Sequence, residues 1–154
     1  MKFLRSTVAI ALLTAAAFAG KQEGPMQDLS CERAMSGERN IRRIPVVAGK
    51  ESLLREKLDE INSRQEEVLG TLEHEGCLSH RMFLEREGNQ LFLVVERWDT
   101  APVRQTFAER EAATGNRLYS LLASLVSECL DVGKSSSLPA EAPFPGTPVT
   151  DFSR

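Results

Sequence analysis

The chain has 154 residues and a net charge of -3, from 19 Lys+Arg against 22 Asp+Glu. Its length suits one domain, and 42% hydrophobic with 27% charged residues excludes wholesale disorder. The acidic balance gives no electrostatic reason to expect nucleic acid or an anionic membrane surface as a partner.

Lys2 and Arg5 precede an uncharged run, Val8 to Ala19, that ends Ala17-Phe18-Ala19. That order reads as a signal peptide over 1–19 with cleavage before Gly20. The apolar run is about 12 residues, short of the roughly 20 that span a bilayer. The chain is therefore expected to be exported, periplasmic or secreted, with no membrane contact after cleavage. Residues 20–38 lack periodicity and read as a flexible leader.

The ordered domain is expected over 39–133. Ile41 to Val47 is short and rich in β-branched residues, and Gly49 follows it, which suits a strand and its turn. Leu54, Leu58, Ile61, Val68 and Leu72 recur at helical steps from Glu51 to about Glu75, broken only by Gln65. Gly76 supplies the stop. Cys77–Arg86 and Gln90–Asp99 flank Glu87-Gly88-Asn89, which is hairpin chemistry. The second of these runs is apolar on both faces, so both faces need cover. A helix is expected from Ala101 to about Ala112, with Val103 and Phe107 inward, and a further helical set from Leu118 to Val126. Glu128 to Val132 reads as a last strand. Residues 134–154, with Ser135 to Ser137 and Pro139, Pro143, Pro145 and Pro148, read as a disordered tail. The order is β-α-β-β-α-α-β, an α+β chain of the ferredoxin-like βαββαβ kind with a four-stranded antiparallel sheet.

Three segments carry a resemblance: Pro45 to Glu51, Glu75-Gly76-Cys77-Leu78-Ser79, and Phe92 to Trp98. Together they resemble the dimeric α/β-barrel superfamily, and within it domains of the antibiotic-biosynthesis-monooxygenase type. The resemblance implies a homodimer packed sheet against sheet, with the partner covering the second apolar face. It leaves open whether the protein is an enzyme. One implied reading is a binding dimer for a small apolar molecule. The alternative is a cofactor-independent monooxygenase-like enzyme with a pocket near Trp98, Glu96 and His80. The haem-degrading members use an Asn, a Trp and a later His. Asn40 and Trp98 fit the first two places, but Ala108 stands at the third, so no cofactor is expected.

His80, on a face with Leu78, Met82 and Leu84, is a candidate general base. Glu96, on a face with Phe92, Val94 and Trp98, is a candidate acid or base, or else the partner of Arg81 or Arg43. Trp98, Asn40 and Phe92 are candidate ligand contacts. His74-x₂-Cys77-x₂-His80 suggests zinc only on paper, because a helix end, Gly76 and a strand separate the side chains, so no metal site is expected. Of the three cysteines, Cys77 and Cys129 could bridge two subunits in the expected 4-1-3-2 sheet, Cys31 could reach a core cysteine, or the thiols could be free.

Overall fold

The structure, a computed structural model, describes residues 37–100 and 104–153. The signal segment, nearly all of the leader and Cys31 lie outside the described residues. So do residues 101–103, where the second helix was expected to begin.

The elements run β1 (Glu38–Pro45), α1 (Glu51–Ser63), α2 (Gln65–Glu75), β2 (Cys77–Glu87), β3 (Gln90–Asp99), α3 (Phe107–Thr114), α4 (Leu118–Cys129), β4 (Ser136–Leu138) and β5 (Thr150–Ser153). This is an α+β fold whose five strands form one sheet in the order β4-β1-β3-β2-β5, with every pairing antiparallel. The expected long helix is two. Its backbone breaks at Arg64 (φ -110, ψ 40), just before the out-of-pattern Gln65, and α2 resumes with Val68 and Leu72 inward. Gly76 ends α2 in the left-handed region at φ 66, as a C-terminal glycine does.

The hairpin turns at Gly88 and Asn89, with Glu87 opposite Gln90. That register places Arg81 against Glu96 and His80 against Arg97. A bulge between Cys77 and Ser79 inserts one residue, so Cys77 rejoins the side of the sheet occupied by His80, Met82 and Leu84.

One face of the sheet packs on the helices. Ile44, Met82, Leu91, Leu93 and Val95 meet Leu54, Leu58, Ile61, Val68, Leu72, Leu118 and Leu125 in the main core. The other face presents Ile41, Phe83 and Val94, and what covers it departs from expectation. The expected strand at Glu128–Val132 is absent. Helix α4 continues to Cys129, and Leu130 makes only an isolated bridge to Val46. The tail expected to be disordered is instead part of the sheet at both edges. Strand β4 pairs with β1, and β5 pairs with β2 on the opposite side.

The link between them, residues 139–149, must therefore cross the sheet. It does so over the second face, where Ala142 packs with Ile41, Phe83 and Val94, and Phe144 stacks on Phe83 with centroids 5.0 Å apart. Four strand spacings are about 19 Å, well within the reach of an eleven-residue link. Proline does not exclude this path, because edge strands and face-crossing segments do not need every N–H. The apolar face that suggested a partner subunit is thus occupied by the chain's own strap.

Phe152 on β5 is 4% exposed and packs in the main core. Phe152→Ala should lower the unfolding free energy by about 3 kcal/mol in urea titration. An unchanged midpoint would return the C-terminal segment to the status of a loose tail.

Candidate functional site

The two faces carry different polar clusters at the Trp98 end of the sheet. On the helix side, Arg97 of β3 reaches Glu75 at the end of α2 (Nη2 to Oε2, 2.8 Å) and Asp99 two residues along its own strand (Nη2 to Oδ1, 2.8 Å). Glu75 also binds Arg110 of α3 through its other oxygen at 2.8 Å. Arg110 donates in addition to the Gln105 carbonyl through Nε and Nη2. Helix α3 is aimed at this cluster by a capping box, in which Thr106 and Glu109 satisfy each other's backbone donors.

All four charged side chains are buried, and two cations are matched by two carboxylates. Burial raises the Glu75 carboxyl pKa, but the Arg97 and Arg110 charges more than reverse this and hold it below the ordinary carboxylate value. The network spends its charges on itself and ties α2, β3 and α3 together.

His80 and Asn40 flank Arg97 on this side, from β2 and β1 respectively. His80 is half-buried by area. Desolvation, with the Arg97 charge, pushes its pKa well below the ordinary imidazole value, and Glu75 only partly opposes this. The ring is therefore neutral near pH 7 and a weak base, a poor general base for chemistry at that pH. Tyr119, fully buried, has a hydroxyl without a hydrogen-bond partner among the described residues, and burial with the Glu75 charge pushes its pKa up.

Cys77 is fully buried, its Sγ 3.1 Å from the Ser79 carbonyl oxygen, and burial pushes its thiol up to about 12. Cys129 is also free, fully buried and shifted upward by burial. Neither sulfur reaches the surface, which favours the free-thiol alternative over a Cys77–Cys129 bridge between subunits. His74 is exposed on the last turn of α2, well apart in environment from buried Cys77. Among the described residues no group of three His, Cys, Asp or Glu side chains is placed to hold a metal.

On the strap side, Glu96 is 0% exposed. Its Oε1 accepts from Arg39 Nε at 2.7 Å, and its Oε2 lies 2.7 Å from Arg81 Nε, off the hydrogen-bond direction. The Phe144 ring rests over both cations, with each guanidinium carbon 4.7 Å from the ring centroid. Arg39 Nη1 also donates to the Ala140 carbonyl of the strap. Trp98, 38% exposed, stands opposite Arg39 at the sheet's end and packs against Gly37, where any side chain would collide with the indole. Phe92 sits further down the same face, pairs with Pro45, and is covered by Arg43 at 3.5 Å. Arg43 is in turn held by Glu85 and Glu87.

The expected pocket of His80, Glu96 and Trp98 is thus not assembled. Register puts Glu96 and Trp98 on the strap face, and His80 and Asn40 on the helix face, with the sheet between them. Phe92 shares the face of Glu96 but stands four positions away, about 13 Å along the strand. Of the residues proposed to pair with Glu96, Arg81 does so, and Arg39 takes the place of Arg43. The sequence reading missed Arg39, Phe144, Glu75, Arg97, Asp99 and Arg110.

Comparison with known proteins adds one fact. The chain belongs to DUF6176, a family of unknown function, whose model matches residues 38–131. The matched segment runs from β1 past the end of α4 and stops before β4, the strap and β5. No curated protein and no solved structure matches the chain.

Glu75→Gln leaves Arg97 and Arg110 short of one buried countercharge and should cost about 3 kcal/mol by urea denaturation. Acid sensitivity follows from two groups. The unfolded chain takes up a proton at His80 near pH 6.5 while the folded chain resists it, so stability present above that pH is lost as pH falls below it. Glu75 adds a second loss as pH falls below the ordinary carboxylate value of 4.5. His80→Gln should flatten the limb between pH 6.5 and 4.5 and keep the steeper one beneath. A stability curve already level from pH 7 to 5 in the parent chain contradicts this placement of His80. The thiols offer a separate check: a Cys31→Ser chain should react with a thiol reagent at pH 8 only at the rate of unfolding, since both remaining sulfurs are buried.

Proposed function

We propose that the protein is an exported binding module on the ferredoxin-like βαββαβ plan, and that it takes a small apolar molecule on the sheet face beneath the strap. The observation that carries this reading is the seat of Phe144. The Phe144 ring stacks on Phe83, which belongs to an apolar cluster with Ile41 and Val94, yet the residue remains 40% exposed. A core position would enclose the ring. A partly open aromatic residue stacked on a buried one is a cover that a small apolar molecule could displace, to be enclosed more fully itself.

Two features support a cover that can lift. Among the described residues, 143–148 make no hydrogen bonds to the rest of the chain, and prolines stand on both sides of Phe144. The anchors lie outside that stretch. Val149 donates to Met82, its carbonyl accepts from Asn62, and β4 and β5 hold the ends.

The monooxygenase-like alternative needs a working acid or base at one site. Glu96 is engaged by two arginines, and the weakly basic His80 is on the other face, which weighs against it. The homodimer implied by the resemblance would use the same face, so partner and strap compete for it.

The test is Phe144→Ala in the full chain, titrated with toluene and followed by amide chemical shifts. Saturable shifts at Ile41, Phe83 and Val94 in the variant, with little response in the parent, are expected. A folded variant that shows no saturable shifts would defeat the binding reading.

A further inference from the structure

We infer that the strap-covered face is selective for an aromatic monocarboxylate, with Phe144 and the Ala140 carbonyl holding the places of its ring and its anionic group. The inference rests on the binding reading above and adds the class of ligand.

The ring position is defined on three sides. Phe83 stacks against the Phe144 ring at an interplanar angle of 16°, and Arg39 and Arg81 approach it at equal distances of 4.7 Å. A planar aromatic group gains from both contacts, since guanidinium over a ring is attractive and the stacked pair buries area. An aliphatic group of equal size gains from neither.

The anionic position is defined by donors. Arg39 uses Nε on Glu96 and Nη1 on the Ala140 carbonyl, so lifting the strap strips Nη1 of its acceptor. Arg81 makes no hydrogen bond among the described residues, and its side chain is 29% exposed. Asp151 stands opposite Arg81 on β5, but it is exposed, accepts from Ser153, and forms no ion pair with Arg81. Glu96 cannot serve both guanidinium groups fully, because it is fixed beneath them and meets Arg81 off the bonding direction. Two arginines that flank a ring and keep unused N–H groups form a fork for a carboxylate. A dianion fits less well, since Glu96 already neutralises one of the two cations.

Occupation by the chain's own Phe144 makes the site self-blocked. A ligand must displace the ring, so apparent affinity is reduced by the fraction of time that the strap is down.

The experiment uses the full chain and the Phe144→Ala, Phe144→Leu and Phe144→Ala/Arg81→Gln variants, each checked for a native circular dichroism spectrum and cooperative melting. The probes are 3-phenylpropionate, its neutral counterpart 3-phenylpropanol and the saturated 3-cyclohexylpropionate, titrated by amide chemical shifts. Phe144→Ala should bind 3-phenylpropionate about tenfold more tightly than the parent and about tenfold more tightly than it binds either other probe. Arg81→Gln in that background should remove most of the gain, and Phe144→Leu, which keeps an apolar plug, should give less of it. Equal affinity for acid and alcohol in Phe144→Ala would overturn the carboxylate assignment and leave an apolar site standing. Equal affinity for the aromatic and saturated acids would overturn the ring assignment. Absence of binding by all three probes to a folded Phe144→Ala would remove the site and the binding reading together.

Discussion

A sheet that is apolar on both faces must be covered twice. That requirement organises the molecule, because uncovered Ile41, Phe83 and Val94 would present a contiguous patch to water. Helices α1, α2 and α4 meet the requirement on one side with ordinary aliphatic packing. On the other side the chain returns over itself. The two short edge strands follow from that return, since each end of the crossing has to be anchored to a different edge. They also cap both edges, leaving less unpaired backbone for another chain to template on.

The cover on the strap side differs in kind from the helical one. Helices bring a stripe of large apolar residues and satisfy their own backbone. The strap brings Leu138, Ala142 and Phe144, and its central residues carry no backbone bonds to the sheet. Its hold therefore depends on one stacked ring, two guanidinium contacts and the strand anchors at either end. Buried Glu96 makes the two arginines affordable beneath an aromatic ring, since without a countercharge they would be driven outward to water. The helix-side network is the opposite case. Arg97 and Arg110 are closed off by Glu75 and Asp99, with further donors spent on Gln105, so that cluster is a lock between elements and has little left to offer a ligand.

Much of this was legible in the residues. The first strand and following helical stretch, the hairpin at Gly88-Asn89 and the helix stop at Gly76 follow from local chemistry that tertiary structure did not override, whereas the break at Arg64 divides a stretch that reads as one helix. The separation of His80 from Glu96 is also written in the hairpin. A two-residue turn with Glu87 opposite Gln90 makes paired positions sum to a constant, which puts Arg81, and not His80, across from Glu96. His80 and Glu96 therefore lie on opposite faces, as a period of two along paired strands requires. The tail was a different kind of miss. Proline and serine density is a true signal against helices and central strands, but edge strands of three and four residues need few donors, and composition cannot distinguish a solvated tail from a segment lying across a face. The one available hint was Phe144 between two prolines, a large apolar side chain in a stretch otherwise built to stay in water.

The physical consequence is a competition for a single surface. Any partner that packs on the second face, whether a small molecule or another sheet, must do better than a ring that is already attached. The strap's effective concentration is high because it is tethered at both edges, and a free competitor lacks that advantage. A competitor can win only by supplying what the strap cannot. The strap offers one neutral carbonyl, from Ala140, to two arginines that still hold unused donors, and it leaves Phe144 40% exposed. A formal negative charge beside an aromatic plane fills both deficits, since a charge-assisted hydrogen bond is roughly twice as strong as a neutral one. Shape alone gives no such advantage, because Phe144 already stacks on Phe83. A competitor's advantage at this face would therefore come from the charge that the strap lacks.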